Sequence, residues 1–537
     1  MIAAALLYLG KTVSLSLAQT SILVAAVLGG SMTSSLLAGV LSDWFGRRKM
    51  MMVAGLMFVV SVGLIVAAQG FTMLFLGRLL QGMSGGVIAV VVPLYLAECL
   101  GASYRGRGAA IFQWMLTLGI VVASVAGLLY TWQAEGAIRA AAGDAVLIRA
   151  AENHAWRGMF LAMIYPGMLF FAGSLFLVET PRWLFRKGRR AEALASLRQL
   201  GPEAEAQLQM REMEAVALKE AVGKAAGTGD PLLRRKYVVP FVLACTVLAC
   251  NQATGINSIL AFLVVILKQA GMSAAHATAG DVVVKGINCV MTVVAVLLVD
   301  RKGRRFLLRI GTGGIIVTLL AAGVLFRTFE SQRVDVRLQA QAAVSGDRLH
   351  LPLDAVAGEG RTAGRAASLT VLYSYGSGDR VAAALSTDAG AAITIVPVEK
   401  DAGKPLAIRH AFYGPVAGEG TGWLITLCLG LFVSFFSVGP GVVVWLALSE
   451  LMPTRIRSAG MGIALLLNQG VSTVIAALFL PVVGYFGYYA MFLFWAGCTT
   501  VYFLTATFFL PETKGKTLEE IERIFDKSLR LPAEAAG

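Results

Sequence analysis

A short charged phrase occurs twice in this chain, each time directly after a long apolar segment. The first copy begins at Asp43 and reads Asp-Trp-Phe-Gly-Arg-Arg-Lys, and the second begins at Asp300 and reads Asp-Arg-Lys-Gly-Arg-Arg. Each copy joins two apolar segments through a connection so short that it must be a tight turn at a membrane face. Arg and Lys residues this close to spanning helices favour the cytoplasmic side. The recurrence predicts two halves built on one plan.

Apolar segments fill most of the chain, of which 57% is hydrophobic. A membrane-spanning helix needs roughly 20 predominantly apolar residues. Eleven segments approach or exceed this length, at residues 20–41, 51–68, 73–96, 109–129, 158–178, 237–267, 282–299, 306–326, 423–448, 460–483 and 488–510. Residues 1–9 make only half a span, and we interpret them as the end of a first helix whose beginning is missing. A signal peptide, which would need a positively charged start, and an interfacial or core segment are the alternatives.

The chain has a net charge of +14, but the location of its basic residues argues against a nucleic-acid partner. These residues are concentrated in the short connections between apolar segments, which is the pattern of positive-inside topology. We therefore expect the connections around Arg47, Arg105, Arg186 and Arg304, and also the C-terminus, on the cytoplasmic side. The six cysteines lie in or at apolar segments, which argues against a disulfide framework, and the four histidines lack metal-ligand spacing. We expect no metal and no cofactor.

These patterns divide the chain into two helix bundles, a linker, an insertion and a tail. The linker contains stretches rich in Glu, Ala, Leu and Arg that predict short amphipathic helices. The predicted boundaries are 1–184 for the N-terminal bundle with its first span incomplete, 185–236 for the cytoplasmic linker, 237–327 and 422–511 for the two parts of the C-terminal bundle, 328–421 for the insertion and 512–537 for the cytoplasmic tail.

Two insertions are predicted to face outward. The smaller covers residues 131–156. The larger, which would lie in the periplasm, is rich in Ala and Gly and contains strand-like runs at 368–375, 391–398 and 406–413. Turns with Pro and Gly separate these runs, as in a small β-rich module. A partly disordered loop of low complexity is an equally open interpretation, and we assign the insertion no chemistry.

Two further motifs occur once in each half, at the ends of corresponding spans. The pairs are Glu98…Arg105 with Glu450…Arg457, and Glu179-Thr-Pro-Arg182 with Pro511-Glu512-Thr-Lys514-Gly515. The separation between the members of each pair changes along the chain by amounts that the two insertions explain. The repeat therefore extends over both halves.

Taken in order, these motifs resemble those of the sugar porter family of the major facilitator superfamily. The turn from Gly39 to Arg48 is similar to the superfamily's signature loop, and Pro93-Leu-Tyr-Leu-Ala-Glu98 is similar to the family's fourth-span phrase. The resemblance covers nearly the whole chain except the two insertions. It implies an all-α membrane protein of two six-helix bundles, here with an apparently truncated first helix, that rock around a central site in alternating access.

The charged motifs are predicted to form a cytoplasmic gate. Acidic and basic side chains at helix ends can pair between the bundles when that side is closed, and in the family such pairs break when the transporter faces inward. Positive-inside topology alone is the alternative, but it does not explain the acidic residues at matched positions. The predicted gate residues are Asp43, Arg47, Glu98, Arg105, Glu179, Arg182, Asp300, Arg304, Glu450 and Arg457.

Neutral amides mark the predicted substrate site. Amides inside a bilayer are costly unless they pair within the protein or line a water-filled cavity. They carry donors and acceptors that suit the hydroxyls of an uncharged polyol, and an indole face packs on sugar C–H groups. Hydrogen bonding between helices is the alternative for any one of them. As a group they predict a sugar site formed by Gln113, Asn251, Gln252, Asn257, Asn288, Trp445 and Asn468.

The resemblance points to the same residues, since residues 251–257 are similar to the family's seventh-span glutamine motif and 439–445 to its tenth-span Gly-Pro…Trp motif. The chain also departs from the family pattern, which predicts a differently shaped pocket. The departures are Asn251 for the first glutamine, Ala261-Phe262 for a tyrosine pair that usually gates the outer side, Gln469 for a tryptophan and Ser472 for an asparagine.

The residues that would couple transport to protons are only partly visible in the sequence. Sugar porters that are proton symporters carry an aspartate in the first span near an arginine in the fourth. The resemblance assigns that arginine to Arg78, whereas the position of the aspartate would precede Met1. Asp281 and Lys285 lie four residues apart in the eighth span, and we interpret them as an ion pair near the outer interface.

The sequence therefore predicts a secondary transporter that moves a monosaccharide, a hexose or a pentose, across the inner membrane in symport with H+. A facilitated-diffusion uniporter, a transporter-like nutrient sensor and an inactive truncated product are the alternatives. A membrane enzyme is disfavoured because the sequence shows no nucleophile–base or metal constellation. We expect a functional monomer in the lipid bilayer that binds no nucleic acid.

Overall fold

The computed structural model describes residues 2–100, 102–225, 235–356, 367–376, 378–386, 391–397, 401–444, 451–452, 457–512 and 525. Over these residues the chain is mostly helical. Eleven of the helical segments are long and apolar enough to cross a membrane, which confirms the prediction of a multi-pass membrane protein. A shorter apolar helix, α1 (Ile2–Thr12), precedes them.

The N-terminal half is a bundle of helices connected by short turns. After α1 these are α2 (Leu17–Phe45), α3 (Arg47–Ala67), α4 (Phe71–Cys99), α5 (Ala102–Ala140), α6 (Ala145–Leu161) and α7 (Ile164–Phe176). α4 packs against α2 and α3, α3 packs against α7, and α5 packs against α6. Glycine allows the closest of these approaches, because a Cβ on Gly82 of α4 would collide with the backbone of Val27 in α2.

The smaller insertion differs from its prediction as a segment separate from the spans. Residues 131–156 are almost entirely helical, because α5 continues to Ala140 and α6 already begins at Ala145. The segment is rich in Ala, which has the highest helix propensity. The chain reverses at Ala142 and Gly143, which have φ values of 47° and 95°. Asp144 then caps α6 by accepting a hydrogen bond from the backbone N–H of Val146 at 2.8 Å.

The segment between the bundles is also helical. It contains α8 (Pro181–Arg186), α9 (Arg190–Leu200) and α10 (Glu203–Ala225), where the sequence predicts short amphipathic helices. The side chains of Trp183, Leu184 and Ala193 form a small buried cluster that holds α8 on α9.

The C-terminal half is a second bundle, which the large insertion interrupts. Its helices are α11 (Arg235–Ala253), α12 (Ile256–Gln269), α13 (Ala274–Lys302) and α14 (Arg304–Glu330), then, after α15 (Arg337–Ala342) in the insertion, α16 (Glu419–Phe436), α17 (Arg457–Phe486) and α18 (Tyr488–Leu504). α14 packs against α16 and α18, and α11 packs against α17. A π-helical turn, Ser437–Gly441, follows α16 and lies against α14.

The large insertion is a β-rich module, which confirms one of its two interpretations. Its strands are β1 (Val334–Asp335), β2 (Val344–Ser345), β3 (Arg348–Pro352), β4 (Ala367–Ser374), β5 (Asp379–Leu385), β6 (Ala392–Ile395) and β7 (Ala407–Pro415). They form two antiparallel sheets with the orders β1-β7-β4-β5 and β2-β3-β6. Leu349, Leu369, Val371 and Ile393 are buried in a core of the insertion's own, so this module folds around its own apolar residues.

Among the described residues, the most extensive packing between the two bundles involves three pairs of helices. α2 packs against α17, α5 packs against α13, and α1 packs against α12. We call the end of the molecule that carries Arg47, Arg186 and Arg304 the basic face, and the opposite end, next to the large insertion, the insertion face. The contacts between α2 and α17 run from the insertion face to mid-helix: the backbone N–H of Leu480 donates to Ser21 Oγ at 3.1 Å, and Gly29 lies opposite Thr473.

Candidate functional site

The seventh predicted span is broken in its middle. α11 ends at Ala253 and α12 begins at Ile256, and Gly255 between them has a φ of +82°. Glycine adopts this left-handed conformation without strain, and a Cβ at this position would collide with the indole of Trp495 in α18. A break within a membrane span is tolerated where it is buried in protein or lines a cavity. It therefore turns the polar residues around Gly255 toward the interior of the bundle.

Four polar side chains around this break form a hydrogen-bonded cluster, which we call the amide network. Gln252 Nε2 donates to Asn468 Oδ1 at 3.2 Å, while Gln252 Oε1 accepts from Asn257 Nδ2 at 2.9 Å. Asn257 Nδ2 also donates to Ser472 Oγ at 2.8 Å, and Asn468 Nδ2 donates to the carbonyl oxygen of Leu248 at 3.1 Å. The structure thus brings together three of the predicted sugar-binding residues, and it joins α11, α12 and α17 through them.

Asn251 contributes an acceptor that the network does not use. Its side chain is 2% exposed, and its Oδ1 has no hydrogen-bond partner within the described part of the chain. Buried polar atoms in native proteins are nearly always hydrogen-bonded. Asn251 Oδ1 is therefore an atom that a ligand hydroxyl could satisfy, and the residue lies directly before Gln252.

Asn288 lies on the neighbouring helix α13, and a residue of the tenth span holds its side chain in place. Its Oδ1 accepts a hydrogen bond from Ser437 Oγ at 2.7 Å, at the start of the π-helical turn. π-helical turns within membrane-spanning helices are frequent at functional sites. The predicted Trp445 follows this turn and lies outside the described residues.

Gln113 lies on α5 of the other bundle and is half-buried. One turn further along α5, Thr117 Oγ1 lies 3.7 Å from Cys289 Sγ of α13, and Asn288 is the neighbour of Cys289 in sequence. Gln113 is thus on the helix that faces α13, at the junction of the bundles. A site between Gln113 and the amide network would be lined from both bundles.

Stacked aromatic rings close the insertion side of the amide network. Phe262 and Phe479 have ring centroids 4.6 Å apart, and Phe479 stacks on Trp495 at 5.7 Å. Sequence reasoning identified Phe262 as a departure from a tyrosine pair, but it missed Phe479 and Trp495. The available signal was the position of Phe479 seven residues after Ser472, two helical turns away on the same face.

Arg78 is buried in α4 and contacts neutral groups. Its Nη1 donates to Gln81 Oε1 at 2.6 Å, and its Nε approaches the carbonyl oxygen of Leu23 at 3.4 Å. The guanidinium also lies 5.7 Å from the ring centroid of Phe160. Within the described residues, no carboxylate forms an ion pair with Arg78. Its proposed role in proton coupling stays a prediction.

At the basic face, Glu98 is the centre of a buried polar cluster. Arg47 and Arg186 each place a guanidinium nitrogen 2.9 Å from Glu98 Oε1, and Thr180 Oγ1 donates to its Oε2 at 2.6 Å. Arg47 also pairs with Asp43 at 2.8 Å, although its side chain is only 1% exposed. Charge-assisted hydrogen bonds of this kind are the strongest that side chains form. Three of the predicted gate residues therefore form one unit.

The guanidinium that reaches Glu98 from α8 belongs to Arg186, and the gate role of Arg182 stays a prediction. Both arginines are exposed, and Arg186, which lies one helical turn further on, also approaches Asp43 at 3.7 Å. Sequence reasoning placed Arg186 only among the basic residues of the linker. The available signal was the position of Arg186 four residues after Arg182, on the same face of a helix.

The predicted gate residue Glu179 and its counterpart in the second half, Glu512, lie at helix N-termini in matched positions. Glu179 Oε1 accepts from the backbone N–H groups of Arg47 and Arg48 at 2.9 and 3.3 Å, where α3 begins. Glu512 does the same for Arg304 and Arg305, at 3.0 Å each, where α14 begins. A carboxylate at a helix N-terminus satisfies free N–H groups and is stabilised by the helix dipole. The recurring charged phrase is thus a repeated helix start as well as a repeated turn.

The ion pairs described above for these motifs connect residues of the N-terminal bundle with one another or with Arg186 of α8. Glu450 and the side chains of Arg105, Asp300 and Arg457 lie outside the described part of the chain. Pairing between the bundles, which the predicted gate requires, stays a prediction.

Comparison with known proteins identifies the family to which this geometry belongs. The family profile described as sugar (and other) transporter matches residues 7–343 and 405–525. The chain belongs to the sugar porter family of the major facilitator superfamily. The match stops at residue 343 and resumes at 405, both inside the large insertion, so most of the β-rich module lies outside the family profile.

Relatives of this sugar porter align over nearly its whole length. The glucose transporter GlcP of Staphylococcus epidermidis is 26% identical over 525 residues, which cover 97% of this chain and 92% of the relative. The proton myo-inositol cotransporter of Homo sapiens is 28% identical over 566 residues, which cover 98% of this chain and 79% of the relative.

The solved structures of the xylose transporter XylE from E. coli have the same fold. The partially occluded inward-open conformation has a TM-score of 0.66 at 19% identity, and the aligned region covers 96% of this chain and 94% of XylE. The two-bundle fold predicted from the sequence is thereby confirmed, and, like other sugar porters, the protein is not an enzyme.

Proposed function

We propose that this sugar porter moves a monosaccharide, a hexose or a pentose, across the inner membrane in symport with H+. The observation that carries the proposal is the amide network at the break of the seventh span. An unwound segment lined by amides supplies donors and acceptors at mid-membrane without a net charge, as an uncharged polyol requires. The relatives named as glucose and myo-inositol transporters support the same class of substrate.

The sugar would bind between the bundles. Gln113 would reach it from α5, while Asn251, Gln252, Asn257, Asn288, Trp445 and Asn468 would reach it from the C-terminal bundle. Asn251 Oδ1, which is buried without a partner among the described residues, would accept from a sugar hydroxyl. Rocking of the bundles about this position would then expose the sugar first to one side of the membrane and then to the other.

The orientation and organisation form part of the proposal. The basic face and the C-terminus would lie in the cytoplasm, since Arg and Lys near spanning helices favour that side. The insertion face would then open to the outside, and the β-rich module would lie there. The predicted division into two bundles, linker, insertion and tail describes how the parts would move, and a single copy holds all of the proposed site.

Uptake into proteoliposomes tests this function. The purified protein would be offered a panel of labelled hexoses, pentoses and myo-inositol, with and without an inward proton gradient. We expect at least one monosaccharide to accumulate above its external concentration when the gradient is present and only to equilibrate when an ionophore removes it. Protein-free vesicles are the control. Absence of uptake for every sugar would contradict the proposal, and equilibration that ignores the gradient would contradict the symport.

A further inference from the structure

Asp281 and Lys285 form an ion pair that is buried in the membrane-spanning part of α13. Lys285 Nζ lies 2.8 Å from Asp281 Oδ2, and the two side chains are only 6% and 2% exposed. The second carboxylate oxygen, Asp281 Oδ1, is buried without a hydrogen-bond partner among the described residues. The pair predicted from the sequence is therefore present, and it is shielded from solvent.

The pair lies where the two bundles meet. α13 contacts α5 of the N-terminal bundle on both sides of it: the backbone N–H of Ala275 donates to Glu135 at 3.0 Å, and Cys289 lies against Thr117. Asp281, Lys285 and Cys289 follow one another at intervals of four residues, so they share one face of the helix. Val290 and Leu297, on the opposite face, are exposed. The ion pair thus occupies the face of α13 that points toward α5.

The pair also adjoins the proposed sugar site. Lys285 precedes Asn288 by one helical turn, and Asn288 is held by Ser437. A change in the hydrogen-bond partner of Lys285 would therefore alter the surroundings of Asn288 in the proposed sugar site.

Burying two charges here costs free energy that packing alone does not require. Removing a carboxylate and an ammonium from water costs several kcal/mol per ion, and apolar residues of similar size often serve stability as well or better. Ionisable residues inside the membrane mark ion pathways and proton relays in many transporters. A paired carboxylate with one free oxygen can take up a proton without any larger rearrangement.

We propose that Asp281 is a proton-accepting group of the transport cycle and that Lys285 reports its state to the sugar site. A proton from water binds Asp281 Oδ1 and converts the carboxylate to the neutral acid. Lys285 keeps its own proton, so the pair changes from neutral to a charge of +1, and the ammonium turns to new acceptors such as the amide oxygen of Asn288 or a sugar hydroxyl. Loss of the proton restores the pair. The proposal rests on the proposed sugar transport.

Other titratable groups on the packed elements lie toward the ends of α13. Glu135 of α5 and Glu419 of α16 meet its first residues, Ala275 and His276, about 8 Å along the helix from Asp281 at 1.5 Å per residue. Further titratable groups on the packed elements are Tyr130 and Arg139 of α5, Lys268 of α12, Cys428 of α16, Arg309, Arg327 and Glu330 of α14, and Cys289 of α13 itself. The only ion pair of Asp281 within the described residues is with Lys285, so the charge on Lys285 is the one that its protonation changes most.

Two variants separate proton coupling from sugar binding. Asp281→Asn keeps the size of the side chain but cannot take up a proton. Asp281→Asn with Lys285→Met removes both charges, so that no unpaired ammonium is left in the bilayer. Glu152→Gln is the matched control, because Glu152 is also a buried carboxylate that pairs with a lysine, the exposed Lys11 at 2.9 Å, away from α13.

The variants would be compared in proteoliposomes by sugar exchange without a gradient, by sugar accumulation under a gradient of one pH unit, and by sugar-induced proton uptake reported by an entrapped pH dye. One proton per sugar and one pH unit give up to about tenfold accumulation in the wild type. The doubly neutral variant should still exchange sugar, at a rate that no longer rises as the pH falls, but should accumulate none and take up no protons. Glu152→Gln should behave as the wild type.

Each other outcome overturns the proposal in a distinguishable way. Accumulation with proton uptake in the doubly neutral variant would show that Asp281 is not the acceptor. Loss of exchange in both Asp281 variants would assign the pair to the fold. If the wild type exchanges sugar without taking up protons, the proposed proton coupling is contradicted but sugar transport is not. If the wild type exchanges no sugar, the proposed function itself is contradicted.

Discussion

The side chains of the amide network are held in place by hydrogen bonds with specific partners. Gln252 uses its amide nitrogen on Asn468 and its oxygen on Asn257. An amide held in this way presents its remaining donor and acceptor sites in fixed directions, and such preorganisation lowers the entropy that binding costs. The same bonds join α11, α12 and α17, so each amide serves the bundle as well as the site.

Gln252→Ala should weaken sugar binding. A sugar hydroxyl that loses its amide partner, and an Asn257 that loses an acceptor, should together cost about 1–3 kcal/mol, or roughly 5- to 150-fold in affinity. Isothermal titration of the purified protein would measure this. Thr246→Val is the control, because Thr246 lies on the same helix but donates to the carbonyl oxygen of Val242. Unchanged affinity at normal abundance would make Gln252 a structural residue.

The residues of the site that could be predicted are those whose amide side chains stand out in an apolar segment. Gln252, Asn257 and Asn468 were identifiable for that reason, and the structure joins them. The role of Ser472 could not be predicted. A serine in a membrane helix can donate a hydrogen bond to the backbone of its own helix, so its presence carries no free-energy penalty that would single it out. Its hydroxyl in fact accepts from Asn257, so this departure from the family shortens the side chain but keeps an acceptor.

At the scale of elements, the repeated charged phrase sets where two helices begin. Gly46 and Gly303 have φ values of +95° and +87°, and a helix starts directly after each. A Cβ on Gly303 would come 2.9 Å from the carboxylate of Glu512, and one on Gly46 would collide with Glu179. Glycine is needed at both positions for the conformation and for the approach of the carboxylate.

Glu179→Gln should destabilise the N-terminal bundle. The carboxylate accepts from the N–H groups of Arg47 and Arg48 at a helix start, and hydrogen bonds to a charged group contribute about 1.5–3 kcal/mol. The melting temperature in detergent should therefore fall. Glu192→Gln removes the same charge from an exposed pair with Arg189 and should leave the melting temperature unchanged. An equal effect of both substitutions would show that only the overall charge matters.

The lengths of the elements were harder to predict than their existence. A hydropathy criterion ends the fifth span where the sequence becomes polar, but α5 continues to Ala140 because Ala-rich sequence remains helical in water. The turn that ends it depends on Ala142 and Gly143 in left-handed conformations. For the large insertion, alternating strand-like runs predicted the β-rich module, whereas the short β1 and β2 carry no pattern of their own.

At the scale of the whole molecule, the two bundles touch at the insertion face. Sequence patterns place the helices in two matched halves, but contacts between halves depend on side chains far apart in the chain. Ser21 and Leu480, for example, form one of these contacts, and nothing in their local sequence marks it. The large insertion adds a connection, since Gly378 lies against Ser16, just before α2, and Asp379 contacts Tyr485 at the end of α17.

Tyr485→Phe should loosen the insertion face. Tyr485 Oη donates to Asp379 Oδ2 at 2.5 Å, so the substitution breaks a tie between the β-rich module and the C-terminal bundle while the module still contacts Ser16. A contact shifts a conformational equilibrium only by its difference in free energy between the two states. Because this hydrogen bond is exposed to solvent, it contributes about 0.2–1 kcal/mol. Opening of this face should therefore become more frequent by roughly 1.5- to 5-fold.

Spin labels at Ala18 and Phe486, both exposed at the insertion-face ends of α2 and α17, would measure the opening as a distance distribution. In Tyr485→Phe the population at longer distance should grow, and it should stay at the wild-type level in Tyr489→Phe, whose hydroxyl forms no hydrogen bond within the described residues. The shift should be reproduced by Asp379→Asn, because that change weakens the same bond from the other side. If neither Tyr485→Phe nor Asp379→Asn alters the distribution, the insertion contacts the bundles without restraining them. The balance between outward- and inward-facing states then depends on the helix contacts alone.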